Sequence, residues 1–168
     1  MNIIPLTPGH AAPYRDLMLH GYEHAPDAFT STPQERVALP LSWWAQRIAD
    51  PAGMGVAFGA VDGEKLIGTV ALEFSSKPKT SHKAHLIGMY VLEAWRKHGV
   101  ARRLVAVAMQ HAAQRPGIAI VTLTVTEGNA SAIALYEAAG FRSFGVEPMA
   151  IRTPSGYRAK VHMCKEIA

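Results

Sequence analysis

Residues 118–125, Ile-Ala-Ile-Val-Thr-Leu-Thr-Val, form a run rich in β-branched side chains. Such a run reads as a strand buried at the centre of a sheet. A helical pattern stands on either side of it. Upstream, Val100, Leu104, Val107, Ala108 and Ala112 fall on one face of a helix expected from about Gly99 to Gln114, broken by Pro116 and Gly117. Downstream, Asn129 is placed to cap a helix running through Ala139. Gly140 stands where a left-handed C-terminal cap is expected, and Phe141 can fold back onto the last turn.

The rest of the chain supplies the other strands. "NIIPLT" reads as a first strand, and Thr7-Pro8 opens a helix to about His24, with Ala11, Tyr14, Leu17, Met18 and Tyr22 as its core face. A loop through "PDAFTSTPQER" leads to a second helical piece, and Ser42 is placed to cap a third that Pro51 stops. From Gly55, "GVAFGAV" and "LIGTVALEF" form a hairpin pattern around Asp62-Gly63. A fourth strand is expected over Ala84–Leu92, and two late ones over about Glu147–Arg152 and Arg158–Glu166. This order implies an α+β, or mixed α/β, domain around one twisted sheet, with residues 1–168 forming a single domain.

Composition narrows the function classes. No run approaches the roughly 18 apolar residues of a membrane span, and the N-terminal stretch lacks a signal-peptide pattern, so the cytoplasm is the expected compartment and no membrane partner is expected. The single cysteine, Cys164, excludes an internal disulfide and reads as a small buried residue. Eight histidines are scattered without metal-site context, apart from the i, i+4 pair His20 and His24 in an amphipathic helix, so no metal is expected. The net charge of +4 is concentrated around residues 96–103 without interleaved aromatics, which argues against nucleic acid as a partner.

That concentration is itself informative. "WRKHGVARR", Trp95–Arg103, crowds Arg96, Lys97, Arg102 and Arg103 around Gly99 at a strand-to-helix bend. Cations in a first helical turn oppose the helix dipole at about 0.3–1 kcal/mol each, which an anion bound there would offset. Free amides at a helix start converge on such an anion, and glycine lets a ligand approach the backbone. The alternative is a set of solvated side chains on a helix start. The spacing lacks the features of a dinucleotide fingerprint or a phosphate loop.

Two stretches, "YVLEAWRKHGVARRLV" and "LTVTEGNASAIALYEAAGF", stand in order with about 30 residues between their glycines, and they resemble the GNAT superfamily of acyl-CoA-dependent N-acyltransferases. The resemblance covers nearly the whole chain. It implies a sheet of about seven strands split into a V, with helices on both faces. It implies acetyl-CoA as acyl donor, its diphosphate held by the amides of Lys97, His98, Gly99, Val100 and Ala101, with Arg96 and Arg102 nearby. Its pantetheine arm would pair with Met89, Tyr90 and Val91, and the Val91 amide would polarise the thioester carbonyl.

By the same resemblance Tyr136 is the general acid that protonates the leaving thiolate, although its helical spacing also suits a core aromatic. Asn129 contacts the pantetheine or simply caps its helix. Many family members carry a glutamate on the fourth strand where this chain has Gly88. An alkylammonium with a pKa near 10.4 is neutral only about once in 10³ molecules at neutral pH, so a base is still needed. Glu73 and His85 are the candidates, each of which also has a purely structural reading.

The expected acceptor is a primary amine, either a small molecule or a protein amine, and a homodimer through the late strands is possible. Phe29, Trp43, Trp44 and Tyr157 are candidates for lining its entry. Two other readings stay open: a non-catalytic acyl-CoA-binding module and a basic nucleic-acid-binding module.

Overall fold

The computed structural model describes residues 1–167. Its strands are β1 (Asn2–Pro5), β2 (Gly55–Asp62), β3 (Lys65–Phe74), β4 (Lys83–Val91), β5 (Ile120–Thr126), β6 (Arg142–Thr153) and β7 (Gly156–Glu166). Its helices are α1 (Ala11–His24), α2 (Pro33–Val37), α3 (Leu41–Ile48), α4 (Val100–Gln114) and α5 (Ala130–Ala138). The strands form one mixed sheet in the order β1-β2-β3-β4-β5-β7-β6. Every neighbouring pair is antiparallel except β4 and β5, which the crossover through α4 makes parallel.

Helices cover both faces. On one, Tyr14, Met18 and Tyr22 of α1 and Trp44 and Ile48 of α3 pack on Ala57, Ala71 and Tyr90. On the other, Leu104, Val105 and Ala108 of α4 pack on Ile67, Val70, Leu72, Val121 and Leu123. Leu104 is fully buried, so its truncation to alanine should cost about 2–5 kcal/mol. The core face of α4 includes Val105 in place of the expected Val107, which is only partly buried.

Local chemistry explains most boundaries. The Asn129 side chain accepts from Ala132 N at 3.3 Å to start α5, and Phe141 N donates to Tyr136 O to close it. Thr32 and Glu35 form a reciprocal capping box at α2, which the sequence reading did not single out. Ser42 lies inside the first turn of α3, because Pro40 occupies the cap position with an extended backbone. The hairpin loop is Gly63-Glu64, one residue later than expected, since Asp62 pairs with Lys65. β6 starts five residues before the expected Glu147. Two irregularities, between Ser143 and Gly145 and between Glu147 and Ile151, break its alternation and hide it from a period-two reading.

The feature that positions the site is the junction of β4 and β5. These strands pair only over Lys83–His85 and Ile120–Thr122. Beyond that point β4 stays on β3 and β5 stays on β7, so the sheet opens into a V.

Candidate active site

A cleft of about 250 Å³ occupies the opening between β4 and β5. Its walls include His85, Gly88 and Met89 from β4, Thr124 and Thr126 from β5, and Tyr136 from α5. The shape of the β4 wall depends on Gly88. Ile87 pairs with Ala71 and Tyr90 with Thr69, so Gly88 and Met89 together face the single residue Val70. This bulge puts Gly88 at φ +62°, a conformation that costs an ordinary side chain about 1–2 kcal/mol. A Cβ there would meet only ordinary contacts, the nearest the Tyr14 hydroxyl at 3.8 Å, so the backbone rather than space selects glycine.

The extra residue also reverses the side-chain parity of the strand. Leu86 packs on the α4 side and Ile87 on the α1 side. After the bulge, Tyr90 packs on the α1 side and Val91 on the α4 side. Backbone polarity follows the same logic. Leu92 N donates to Ile67 O in β3 at 2.9 Å, so the preceding Val91 amide and carbonyl turn toward the opening. Tyr90 itself is a packing residue whose hydroxyl lies 2.9 Å from His20 Nδ1.

At the end of β4 the chain bends into α4. Gly99 caps that helix at φ +76°, with no atom within 4 Å of where its Cβ would be, and Lys97 adopts φ +63°. Among the described residues, the amides from Lys97 to Arg102 donate to no backbone carbonyl, whereas Arg103 N donates to Gly99 O. The result is a run of donors without backbone partners at the positive end of a helix. Arg96 behaves differently from the other cations of the segment. Its Nε donates to Val91 O at 3.1 Å and its guanidinium sits 5.8 Å from the Tyr90 ring centre, tying the bend back to the strand. His98 uses Nδ1 to donate to Arg96 O at 2.7 Å.

The candidate acid–base groups separate into two places. Tyr136 is buried in the cleft wall, packed edge-on against Phe141, and burial pushes its hydroxyl well above the usual tyrosine range. Asn129 lines the same cleft while capping α5. His85 also lines it; its Nδ1 is 2.9 Å from Thr122 Oγ1, and burial lowers its pKa. Glu73 pairs with His85 across β3 and β4, but its carboxylate lies in a neighbouring groove with Trp43 and Asp50, 3.7 Å from Arg47 Nη1. It does not line the cleft.

Family membership follows from the whole arrangement and from the sequence together. The profile described as Acetyltransferase (GNAT) family matches residues 18–141. The chain belongs to the GNAT acetyltransferase family. Over 102 residues it is 29% identical to the L-amino acid N-acetyltransferase AaaT of Escherichia coli strain K12, a match that spans 61% of this chain and 62% of that protein. Its fold is similar to that of the GNAT-family acetyltransferase of Streptococcus pneumoniae, at TM-score 0.86, 17% identity and coverage of 99% of this chain and 100% of that one. It is also similar to yncA, a putative acetyltransferase of Salmonella typhimurium solved with its cofactor acetyl-CoA, at TM-score 0.83, 17% identity and coverage of 100% and 94%.

The acceptor side of this GNAT chain departs from expectation. Of the four aromatics expected at the entry, Phe29 lines the cleft, while Trp44 is fully buried in the core. Trp43 lines the neighbouring groove, and Tyr157 lies under Arg152 at the start of β7. Two cations that sequence reasoning missed, Arg47 and Lys160, reach the cleft. Lys160 lies on the same face of β7 as His162, opposite Thr126, and burial lowers its pKa. Among the described residues no group of three or more His, Cys, Asp or Glu is arranged to hold a metal ion, and no helix is long and apolar enough to cross a membrane.

Proposed function

We propose that this GNAT chain is an N-acetyltransferase, working as one acyltransferase domain across residues 1–168 and moving an acetyl group from acetyl-CoA to a primary amine by direct attack in a ternary complex. One observation carries the reading: the cleft between β4 and β5 has unpaired donors at Gly99 beyond one end and a buried, proton-bearing Tyr136 in its wall.

In this reading the amides of Lys97, His98, Gly99, Val100 and Ala101 hold the diphosphate, with Lys97, Arg102 and Arg103 adding charge. Met89 and Val91 offer outward-facing backbone groups to the pantetheine arm, and the Val91 amide donates to the thioester oxygen as negative charge develops there. Tyr90 turns its backbone to β3, where it pairs with Thr69, and so adds nothing to the grip on the arm. Asn129 both caps α5 and borders the arm. The acceptor enters from the α1 and α3 side, where His85 takes its proton, directly or through a water. With Thr122 Oγ1 turned toward Ala84 O at 3.5 Å, the Nδ1–H form of His85 leaves Nε2 as the basic nitrogen. Glu73 supports the imidazolium electrostatically across the strand pair. The amine nitrogen forms the new C–N bond and the C–S bond breaks. Tyr136 gives its proton to the departing sulfur and regains one from solvent.

The lone free thiol, buried Cys164, suits a reducing compartment, and we place the activity in the cytoplasm. Homodimerisation is part of the same reading, through the outer edge of β6, which exposes Phe144, Val146 and Met149; light scattering tests it. The test of function is a thermal-shift titration with acetyl-CoA followed by CoA release over a panel of amines. Saturable stabilisation with amine-dependent release supports the proposal. Stabilisation without release from any amine makes the chain a non-catalytic acyl-CoA binder. Salt-sensitive polyanion binding with no preference for CoA makes it a basic binding module.

A further inference from the structure

Helices α1 and α3, which pack on the His85 side of the sheet, carry an unusual set of hydrogen-bonding groups. Among the described residues, the buried side-chain polar atoms without a partner are Tyr14 Oη, Trp44 Nε1 and Arg47 Nε. All three can donate, and all three come from α1 and α3. Tyr14 and Trp44 are in edge-on contact at 6.0 Å, and the Arg47 charge acts on the Tyr14 hydroxyl. Leaving buried donors unpaired costs about 1–3 kcal/mol each, but Tyr14 and Trp44 are fully buried and do not line the cleft, so of the three residues Arg47 alone can meet an acceptor from outside the chain.

Arg47 is the member that reaches the cleft. Its side chain is 23% exposed, flanked by the Trp43 ring at 5.5 Å, and among the described residues its carboxylate contact is Glu73 at 3.7 Å through Nη1. That pair is loose, and Glu73 is itself 52% exposed in the neighbouring groove, which leaves the part-exposed guanidinium able to take a further partner on the cleft side. Tyr14 stands behind the bulge, its hydroxyl 3.8 Å from the Cβ position of Gly88. Burial pushes its pKa to about 12, so it remains a donor. Among the described residues, those lining the cleft include two cations, Arg47 and Lys160, and no Asp or Glu. A dicationic acceptor has nothing there to pair with, whereas an anionic one meets a guanidinium able to donate to a carboxylate.

Resting on the acyltransferase reading above, we infer that the acceptor is a small amino acid with a free carboxylate, which Arg47 recognises from the α3 side of the cleft while the amine faces His85. A peptide N-terminus presents an amide in place of that carboxylate and would leave the guanidinium unanswered. Arg47 is thus a specificity-determining residue, distinct from the groups that move protons.

The experiment compares free L-amino acids with their carboxamides, which share the side chain and the α-amine, in a CoA-release assay on the wild type, Arg47→Gln and Arg47→Lys. Comparing each acceptor between variant and wild type cancels the difference in amine basicity. The expected result is a fall in kcat/KM of about 10- to 100-fold for amino acids in Arg47→Gln, partial recovery in Arg47→Lys, and less than about twofold change for carboxamides. An equal loss for both acceptor types overturns the inference. If no amine is turned over, the acyltransferase reading fails separately. Calorimetry with N-acetyl amino acids and their carboxamides then decides the carboxylate question: selective binding of the acids that Arg47→Gln abolishes supports it, and equal binding overturns it. Should Arg47→Gln not fold, Arg47→Lys, which keeps the charge and loses the planar fork, is expected to weaken the acids alone; equal weakening of both overturns the inference.

Discussion

His85 and Thr122 face each other on the last rung that joins β4 to β5, with His85 Nδ1 2.9 Å from Thr122 Oγ1. One side chain therefore sits at the apex of the V, held by the strand across from it and open to the cleft beyond. Burial disfavours the imidazolium, so the folded pKa lies below the ordinary imidazole value of about 6.5 and the basic form persists to lower pH.

The consequence is a pH profile. At saturating acceptor, kcat should fall as pH drops through the lowered pKa of His85, with a midpoint below about 6.5. His85→Gln should lower kcat and remove this limb. A limb that survives the substitution unchanged would assign it to another group. The stability change has the same sign: the unfolded chain takes up this proton first, so His85 makes folding less favourable as pH falls from the ordinary imidazole range toward its lowered value.

Tyr136→Phe keeps the ring that packs on Phe141 and removes only the hydroxyl. We expect kcat to fall about 10²-fold while the affinity for acetyl-CoA, read by calorimetry, changes less than about twofold. Undiminished turnover would leave Tyr136 as a core residue.

Gly99→Val places a β-branched residue at φ +76° where donors meet the ligand. The expected outcome is about 1–2 kcal/mol of lost stability and acetyl-CoA binding weakened about tenfold or more. Binding at wild-type strength would mean that the diphosphate lies elsewhere.

Gly88→Glu introduces the carboxylate that the family resemblance leads one to expect on this strand, yet it should not supply a base. At φ +62° the substitution strains the bulge by about 1–2 kcal/mol, and relaxing the bulge would exchange the faces of Tyr90 and Val91. Denaturant unfolding should show the loss, and turnover should drop. A rise in turnover would refute this account of the bulge.

How much of this was legible beforehand depended on whether the cause was local. The start of α4 at Gly99 and both ends of α5 follow from capping chemistry within a few residues, and the structure has them there. The opening between β4 and β5 came from the family resemblance, not from the pattern of either strand. The parity reversal at Gly88 was invisible to alternation, because a bulge is defined by the partner strand. Glu73 illustrates the same limit: its place on β3 was readable, but its turn toward Arg47 and away from the cleft depends on α3. Arg47 carried no signal at all. It is one polar residue in an amphipathic helix, and only tertiary burial of its Nε distinguishes it from a solvated arginine.

The three-rung union of β4 and β5 has a mechanical side. Seven paired positions fasten β5 to β7, whereas three fasten it to β4, so the sheet has a hinge line at its middle. Amides along Leu86–Val91 that face this line should exchange with solvent sooner than their neighbours on β3, and an acyl donor lying in the gap should act as a splint that slows them.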